Sequence, residues 1–243
     1  MVCVAPPIVM GNGIAEAIEA FSLGNPVMIF DSDFRERETD LLWPAAKATP
    51  EIMRRLRKDC GGLLFLAIGD EIGEKFGLPW LQDIHSTTSI VEDYPVLGEL
   101  ITNDLQYDSR SAFTLSLHHR ETNTGITDRD RALTTRRLGE LAGEVYELSN
   151  SEAMEALGKE FRTPGHIPLC RESPGGLSKR QGHTELAVAI ARLSGNIPCT
   201  IGAEMLDPDG DGALSLQEAR KYAEEHGIPM ITGNDIMESM DMV

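Results

Sequence analysis

Hydrophobic residues recur along this chain with two different spacings. Ile14, Ile18 and Phe21 fall three or four positions apart, which predicts the buried side of a helix. Residues 26–30 and 63–68 are instead short apolar runs, typical of strands that are covered on both faces of a sheet. The pattern therefore predicts helices alternating with buried strands.

Signals for helix starts extend this alternation. Thr49 stands before a proline and predicts a helix start, and Thr127 with Asp130 has the form of a capping box at another. Thr184 is predicted to cap a third helix. Further elements are predicted as a helix over residues 216–226 and as strands over residues 112–117, 197–206 and 228–231.

The chain shows no internal repeat and no linker rich in proline, glycine and serine. We therefore expect residues 1–243 to form one α/β-type domain around a mixed sheet. Residues 70–110 carry the weakest periodicity and are expected to form an elaborated insert of loops and short elements.

Composition limits the function. The formal net charge of −17 argues against a nucleic-acid-binding protein, because phosphate backbones require a basic surface. The excess of acidic residues over lysine suits a salty cytoplasm. The four cysteines have no CxxC spacing and are expected to be free thiols of a reducing cytosol. No apolar run approaches the roughly 20 residues of a membrane span, and no secretory signal is evident, so we expect a cytoplasmic protein.

The first candidate site follows the apolar run at residues 26–30. Residues 31–40 read DSDFRERETD, in which carboxylates dominate and two arginines are interleaved. Carboxylates are hard oxygen ligands for cations and can accept protons, and arginine donates to phosphate. The alternative is a solvated acidic loop without a ligand.

The second candidate site is the segment RQGHT at residues 180–184. Glycine lets backbone N–H groups approach an anion, and a helix start favours negative charge. Arg180 is placed to hold a phosphate, and His183 to bind a metal through a ring nitrogen. Glu204 stands alone among strand apolars and must be paired, metal-bound or shifted in pKa, unless it faces solvent.

Four segments together resemble one enzyme family, the 3,4-dihydroxy-2-butanone 4-phosphate synthases of riboflavin biosynthesis. They are residues 31–40, residues 111–135 (SAFTLSLHHRETNTGITDRDRALTT), residues 161–185 (FRTPGHIPLCRESPGGLSKRQGHTE) and residues 203–206 (AEML). The resemblance extends from about residue 11 to about residue 236 and is weak across residues 70–110. The DSD form of the first segment is similar to archaeal, monofunctional members.

The resemblance implies a lyase that converts D-ribulose 5-phosphate to L-3,4-dihydroxy-2-butanone 4-phosphate and formate, through an enediolate and a rearrangement of the carbon skeleton. It implies an α+β fold of three layers around a mixed twisted sheet. It also implies a homodimer with active sites near the interface, and two Mg²⁺ or Mn²⁺ ions per site.

The resemblance also implies a role for each matching position. Glu36 and His183 would bind the metal ions. Residues matching positions that act in catalysis are Asp31, Glu38, His166 and Glu204. Residues matching positions that hold the substrate are Arg35, Glu36, Asp40, Thr122, Thr124, Arg180, Gln181, Gly182, His183 and Thr184.

Two other functions remain open at this point. Residues 207–218 (DPDGDGALSLQE) fit the pattern of an EF-hand calcium loop, although the segment before them is strand-like and Ser215 with Glu218 also forms a capping box. A nucleotide-binding module like those of tRNA threonylcarbamoyl-adenosine factors would share only the architecture and would not explain residues 180–184.

Overall fold

The computed structural model describes residues 13–101 and 104–242. Within these ranges the chain forms eleven helices and seven strands. The strands are β1 Val27–Phe30, β2 Thr39–Pro44, β3 Phe65–Ile68, β4 Phe113–His119, β5 Phe161–Arg171, β6 Cys199–Glu204 and β7 Met230–Thr232. The helices are α1 Gly13–Ser22, α2 Pro50–Asp59, α3 Asp70–Lys75, α4 Leu81–His85, α5 Thr88–Asp93, α6 Val96–Glu99, α7 Asp128–Glu144, α8 Asn150–Glu160, α9 His183–Leu193, α10 Leu216–His226 and α11 Gly233–Ser239.

All seven strands join one mixed sheet in the order β4-β5-β3-β6-β2-β1-β7. β1 pairs with β7 and β3 pairs with β5 in parallel, and the other neighbours are antiparallel. β4 and β7 are therefore the two edges. β2, β6 and β3 occupy the middle, so residues at their ends come from distant parts of the chain but lie side by side.

Helices cover both faces of the sheet, because apolar side chains alternate along the central strands. Leu41 and Leu66 face one core with α2, α7, α8 and α10. Leu42 and Ala67 face the other core with α1, α9 and α11. The α+β arrangement of three layers around a mixed sheet is confirmed.

Local signals explain where several elements begin. Thr49 accepts a hydrogen bond from the Ile52 N–H at the start of α2, as expected for a cap. Thr127 likewise accepts from the Asp130 N–H at the start of α7. The Asp130 carboxylate does not complete a capping box, because it turns away to other backbone groups described below.

The insert between β3 and β4 contains the four short helices α3 to α6, each of four to six residues. Trp80 anchors it, because the guanidinium groups of Arg110 and Arg171 lie 3.4 and 4.3 Å from the centre of its ring. The insert ends in residues 104–112, which form neither helix nor strand and pass beside the middle of the sheet.

Three cysteines, Cys60, Cys170 and Cys199, are free thiols, and Cys3 lies outside the described residues. No helix within the described ranges combines the length and the apolar character that crossing a bilayer requires.

Candidate active site

A cavity of about 230 Å³, here called the central cavity, opens where β3, β5 and β6 meet the start of α9. The loop after β1 and residues 105–113 form its other walls. Five of the residues expected at the site from the sequence line it. These are Glu36, Arg180, His183, Thr184 and Glu204.

Asp31 fixes the shape of the acidic loop after β1. Its buried carboxylate accepts the backbone N–H of Glu36 at 2.8 Å and that of Glu38 at 3.0 Å. Arg37, between them, has a left-handed φ of 61°. The loop therefore folds back on its own first residue, and the Glu36 side chain points at α9. Phe34, at the loop tip, is 94% exposed.

His183 lies at the centre of the carboxylates. Its Nε2 atom is 3.4 Å from Glu36 Oε2 and 3.8 Å from Asp31 Oδ2. Its Nδ1 atom is 2.8 Å from Oδ2 of the buried Asp40, a close charge contact without the angles of a hydrogen bond. The structure thus joins Glu36 and His183, which are 147 positions apart in the sequence.

The geometry of this group fits a divalent cation. Among the described residues, Asp31, Glu36 and His183 are the one set of three whose ligand atoms all lie within 4.8 Å of one another. Adjacent ligands of an octahedral magnesium ion are about 3 Å apart, close to the Glu36–His183 distance. The buried Nε2 of His183 has no hydrogen-bond partner in the part of the chain that the structure describes. Asp40 beside Nδ1 resembles the carboxylate that orients a metal-binding histidine.

Burial and crowding shift the acidities of this group. Burial, reinforced by the charge of Asp40, raises the pKa of Glu204 to about 7. Burial also raises the pKa of Glu38. Burial alone would lower the pKa of His183, but the carboxylates of Asp40 and Glu36 raise it to about 9. Glu204 can therefore accept and return a proton near neutral pH, and a metal at His183 must displace a proton.

Two arginines converge on Asp108, which lines the central cavity. Arg35 Nη2 lies 2.6 Å and Arg180 Nη2 2.9 Å from the same oxygen, Oδ2 of Asp108. Arg180 also pairs with the buried Glu185 at 2.5 Å. Although burial raises the pKa of Asp108, the two guanidinium groups hold it below its usual value. The sequence pattern gives no signal for Asp108, because it lies in the unpatterned residues 104–112.

The start of α9 differs from the expectation. Gly182, not Thr184, is the residue before the helix, and His183 is its first residue. A Cβ atom at Gly182 would lie 2.4 Å from Arg180 Nη1, so the glycine gives the guanidinium its place. Thr184 is buried in the first turn and lines the cavity instead of capping the helix. The Gln181 side chain is exposed and does not line the cavity.

Three residues expected at the site, His166, Thr122 and Thr124, lie elsewhere, near β4 and β5. Together with His118 and Asp130 they form what we call the edge cluster. His166 precedes the cavity-lining Cys170 by four positions of β5, which corresponds to about 13 Å along a strand. The structure therefore does not bring His166, Thr122 and Thr124 into the central cavity of the same chain.

Hydrogen bonds define the edge cluster. The Asp130 carboxylate accepts the backbone N–H of Gly125 at 2.8 Å and of Thr124 at 3.1 Å. These donors hold the pKa of Asp130 below its usual value although burial raises it. The Thr122 hydroxyl donates to the His119 carbonyl at 2.7 Å. Asp130 thus shapes the turn that carries the two threonines.

A pair of histidines completes the edge cluster. The His166 backbone N–H donates to His118 Nε2 at 2.8 Å, and His166 Nδ1 lies 2.7 Å from the same atom. Since Nε2 of His118 accepts the backbone proton, His166 Nδ1 must be the donor in the second contact. A neutral His166 then carries its free lone pair on Nε2, in an exposed ring.

The calcium-loop pattern at residues 207–218 takes a different form from an EF-hand. Strand β6, not a helix, precedes it, and Glu218 pairs with the Ser215 hydroxyl at 2.7 Å at the start of α10. Ser215 also accepts the Glu218 N–H at 3.2 Å. The segment is therefore a polar turn that leads into a capped helix.

Comparison with known proteins decides the family. A sequence model of 3,4-dihydroxy-2-butanone 4-phosphate synthase matches residues 15–239. The chain belongs to this family. Its sequence is 42% identical to the 3,4-dihydroxy-2-butanone 4-phosphate synthase of Methanothermobacter thermautotrophicus over 226 residues, covering 93% of this chain and 95% of the relative. It is also 42% identical to that of Archaeoglobus fulgidus over 224 residues, covering 92% of each chain.

The fold of this chain also matches that of a solved member of the family. A solved 3,4-dihydroxy-2-butanone 4-phosphate synthase in complex with two magnesium ions superposes with a TM-score of 0.73 and 26% identity, covering 95% of this chain and 97% of that one. The predicted resemblance to archaeal members of the synthase family is confirmed by the two archaeal relatives.

Proposed function

We propose that this chain is a lyase of riboflavin biosynthesis that converts D-ribulose 5-phosphate to L-3,4-dihydroxy-2-butanone 4-phosphate and formate. The observation that carries the proposal is the meeting of Glu36 and His183 beside the Arg35–Arg180 pair. A cation site next to an anion site fits a sugar phosphate, whose hydroxyl oxygens and phosphate need opposite charges.

Two Mg²⁺ or Mn²⁺ ions are proposed for each site, with Glu36 and His183 as ligands. When bound, the metal ions would act as Lewis acids that withdraw electron density from the sugar oxygens. Asp31 holds the loop that presents Glu36, and Asp40 keeps the His183 ring oriented through Nδ1. The solved relative with two magnesium ions supports this number of ions.

Proton transfers are assigned to residues whose environment suits them. Glu204 has a pKa of about 7 and lines the central cavity, so it can take a proton from carbon and return it to oxygen. Glu38 and Asp31 lie on the same loop and are proposed to relay protons. Arg35, Arg180 and the start of α9, with Gly182 and Thr184, are proposed to hold the phosphate.

The central cavity is proposed to be completed by a second copy of the chain. His166, Thr122 and Thr124 belong to the edge cluster and are absent from the cavity lining. Exposed apolar side chains flank both regions, namely Phe34 at the loop tip and Ile126 in the edge turn. A homodimer that covers these side chains and brings His166 to the partner's cavity accounts for both facts.

The proposal extends to organisation and location. The chain is proposed to act in the cytoplasm, where its three described thiols stay reduced. Residues 1–243 are proposed to form one catalytic domain with residues 70–110 as an elaborated insert.

Formate release from ribulose 5-phosphate tests the function. We expect formate from the purified protein with Mg²⁺, none with EDTA, and recovery when Mg²⁺ is added back. Glu36→Gln should abolish formate release while the protein stays folded by circular dichroism. Asp33→Asn changes an exposed carboxylate of the same loop and should keep wild-type turnover. Near-normal turnover by Glu36→Gln would overturn the metal assignment, and no formate from the wild-type protein would overturn the function.

A further inference from the structure

Arg35 and the cavity-lining Arg180 already hold an anion that belongs to the chain. One oxygen of Asp108 receives Nη2 of Arg35 and Nη2 of Arg180, at 2.6 and 2.9 Å. The side chains of all three residues are at least 85% buried. A carboxylate shared by two converging guanidinium groups occupies the kind of place that a phosphate takes in a sugar phosphate site.

The Asp108 carboxylate leaves some hydrogen-bond donors of Arg35 and Arg180 without an acceptor. The Nε atoms of Arg35 and Arg180 are both buried, and neither has a hydrogen-bond partner among residues 13–101 and 104–242. An unpaired buried donor costs free energy, and here two of them lie on the side chains that Asp108 bridges. A tetrahedral dianion has more oxygen atoms to offer than the single Oδ2 that Asp108 uses.

Charge points to the same conclusion. Arg35 and Arg180 together carry two positive charges. The acidic groups paired with them are Asp108, the buried Glu185, and Glu36, whose Oε1 lies 3.6 Å from Arg35 Nη2. With Asp108 in place the acidic groups outnumber the two arginines, and an incoming dianion would add to this excess in a buried position. With Asp108 withdrawn, the acidic groups and the arginines are equal in number.

The structure leaves room for the Asp108 side chain to move away from the two arginines. It lies in residues 104–112, which form neither helix nor strand, so its displacement breaks no regular element. Its side chain also lines a second cavity of about 380 Å³, whose lining includes Lys179 and Arg110, the latter paired with Asp83 at 3.3 Å. The second cavity therefore has room and positive charge for a carboxylate that leaves the first.

We propose that Asp108 is a specificity-determining residue, an internal anion that a ligand must displace from Arg35 and Arg180. Exchange for another carboxylate replaces like by like and gains little. A phosphate offers further acceptor oxygens to the buried Nε atoms of Arg35 and Arg180, so the exchange selects phosphorylated ligands over carboxylates and over unphosphorylated sugars. The identification of the natural ligand as a sugar phosphate rests on the proposed function, whereas the displacement itself does not.

Inorganic phosphate provides the test, measured by isothermal titration calorimetry in EDTA at constant ionic strength. Asp108→Asn should bind phosphate about tenfold tighter than the wild-type protein, because close ion pairs are coupled by at least this factor. Asp108→Glu keeps the charge and should bind as weakly as the wild type. Asp33→Asn is the matched control: it removes an exposed carboxylate from the loop that carries Arg35 and should leave phosphate affinity unchanged.

Each outcome decides the question. Equal or weaker phosphate binding by Asp108→Asn would overturn the proposal, because Asp108 would then order the arginines instead of competing for them. Asp108→Ser gives the same comparison if the asparagine variant does not fold. If the wild type releases no formate but Asp108→Asn gains phosphate affinity, the synthase assignment falls and this inference stands. If formate is released but the affinity is unchanged, only this inference falls.

Discussion

The central cavity and the edge cluster both contain carboxylates and histidine, but they treat these groups in opposite ways. In the cavity, Asp40 and Glu204 crowd one another and the Glu204 pKa rises to about 7. In the edge cluster, backbone N–H groups surround Asp130 and its pKa falls. His183 is buried among charged groups. The ring of His166 is exposed and contacts another histidine, His118.

The difference between the two regions lies in whether their polar groups are satisfied by the protein itself. Unsatisfied, mutually repelling groups are costly to the fold and are retained where a ligand relieves them. Satisfied groups stabilise a fixed geometry. The cavity therefore fits the proposed cations and anion, and the edge cluster holds one imidazole in one orientation.

Apart from the loss of activity expected for Glu36→Gln and His166→Ala, the largest effect on turnover is expected from Glu204→Gln, which removes the near-neutral acid of the cavity without changing its size. We expect formate release to fall by about 10²–10⁴-fold, the range of general acid–base catalysis. Magnesium affinity, measured by calorimetry, should stay within the wild-type range, because Glu204 is not in the metal-binding set. A loss of turnover below tenfold would remove Glu204 from the chemistry.

Mixing two inactive variants tests whether the edge cluster serves the partner's cavity. Glu36→Gln and His166→Ala should each be inactive alone. Random pairing makes half of the dimers mixed, and each mixed dimer has one intact site, so about a quarter of wild-type activity should return on coexpression. A single-chain site would give no recovery, and the two regions would then have to meet within one protomer.

A smaller effect is expected from Asp40→Asn, since Asp40 acts through His183. Magnesium affinity should fall by about 10–100-fold, as for other carboxylates that orient metal-binding histidines. Calorimetry with Mg²⁺ measures this, with Asp33→Asn as the control from the same loop. Unchanged affinity would show that the 2.8 Å contact does not orient the ring.

The smallest effects, in thermal stability, should have opposite pH dependence in the two regions. The folded-state pKa of Glu204 is raised from 4.5 to about 7, so its burial costs stability increasingly as the pH rises through that window. Glu204→Gln should therefore gain melting temperature relative to the wild type between these values.

For Asp130 the sign is reversed. Its pKa is lowered from 3.8, so its contribution is present above that pH and is lost as the pH falls through the folded-state value. Asp130→Asn should melt below the wild type at neutral pH and converge with it in acid. Scanning calorimetry in EDTA measures both, and parallel curves for the two variants would contradict the comparison.

The sequence predicted the parts of the fold that depend on neighbouring residues. The caps at Thr49 and Thr127 and the buried strand β3 follow from local chemistry and were correct. The pattern did not predict β5, because Pro164 and Pro168 interrupt the usual strand signal. The cap at Thr184 was wrong by two positions, since Gly182 offers no side chain to recognise.

The site was predictable to a similar degree. The resemblance indicated Glu36, His183 and Glu204, which the structure brings to one cavity; their roles stay predictions. Asp108 was missed, because its contact with Arg35 joins positions 73 residues apart and its own segment has no periodicity. Nor could one sequence show that His166 lies apart from the cavity, since distance depends on the bulged pairing of β4 with β5.

At the start of α9, the number of residues between the functional side chains cannot change. Within six consecutive positions it supplies the guanidinium of Arg180, the imidazole of His183 and the carboxylate of Glu185. Each residue of a helix turns it by about 100°, so a one-residue insertion after Gly182 would swing the imidazole away from Glu36 while leaving Arg180 behind. In any engineering of this enzyme by loop transplantation, the length itself must therefore be preserved at this helix start.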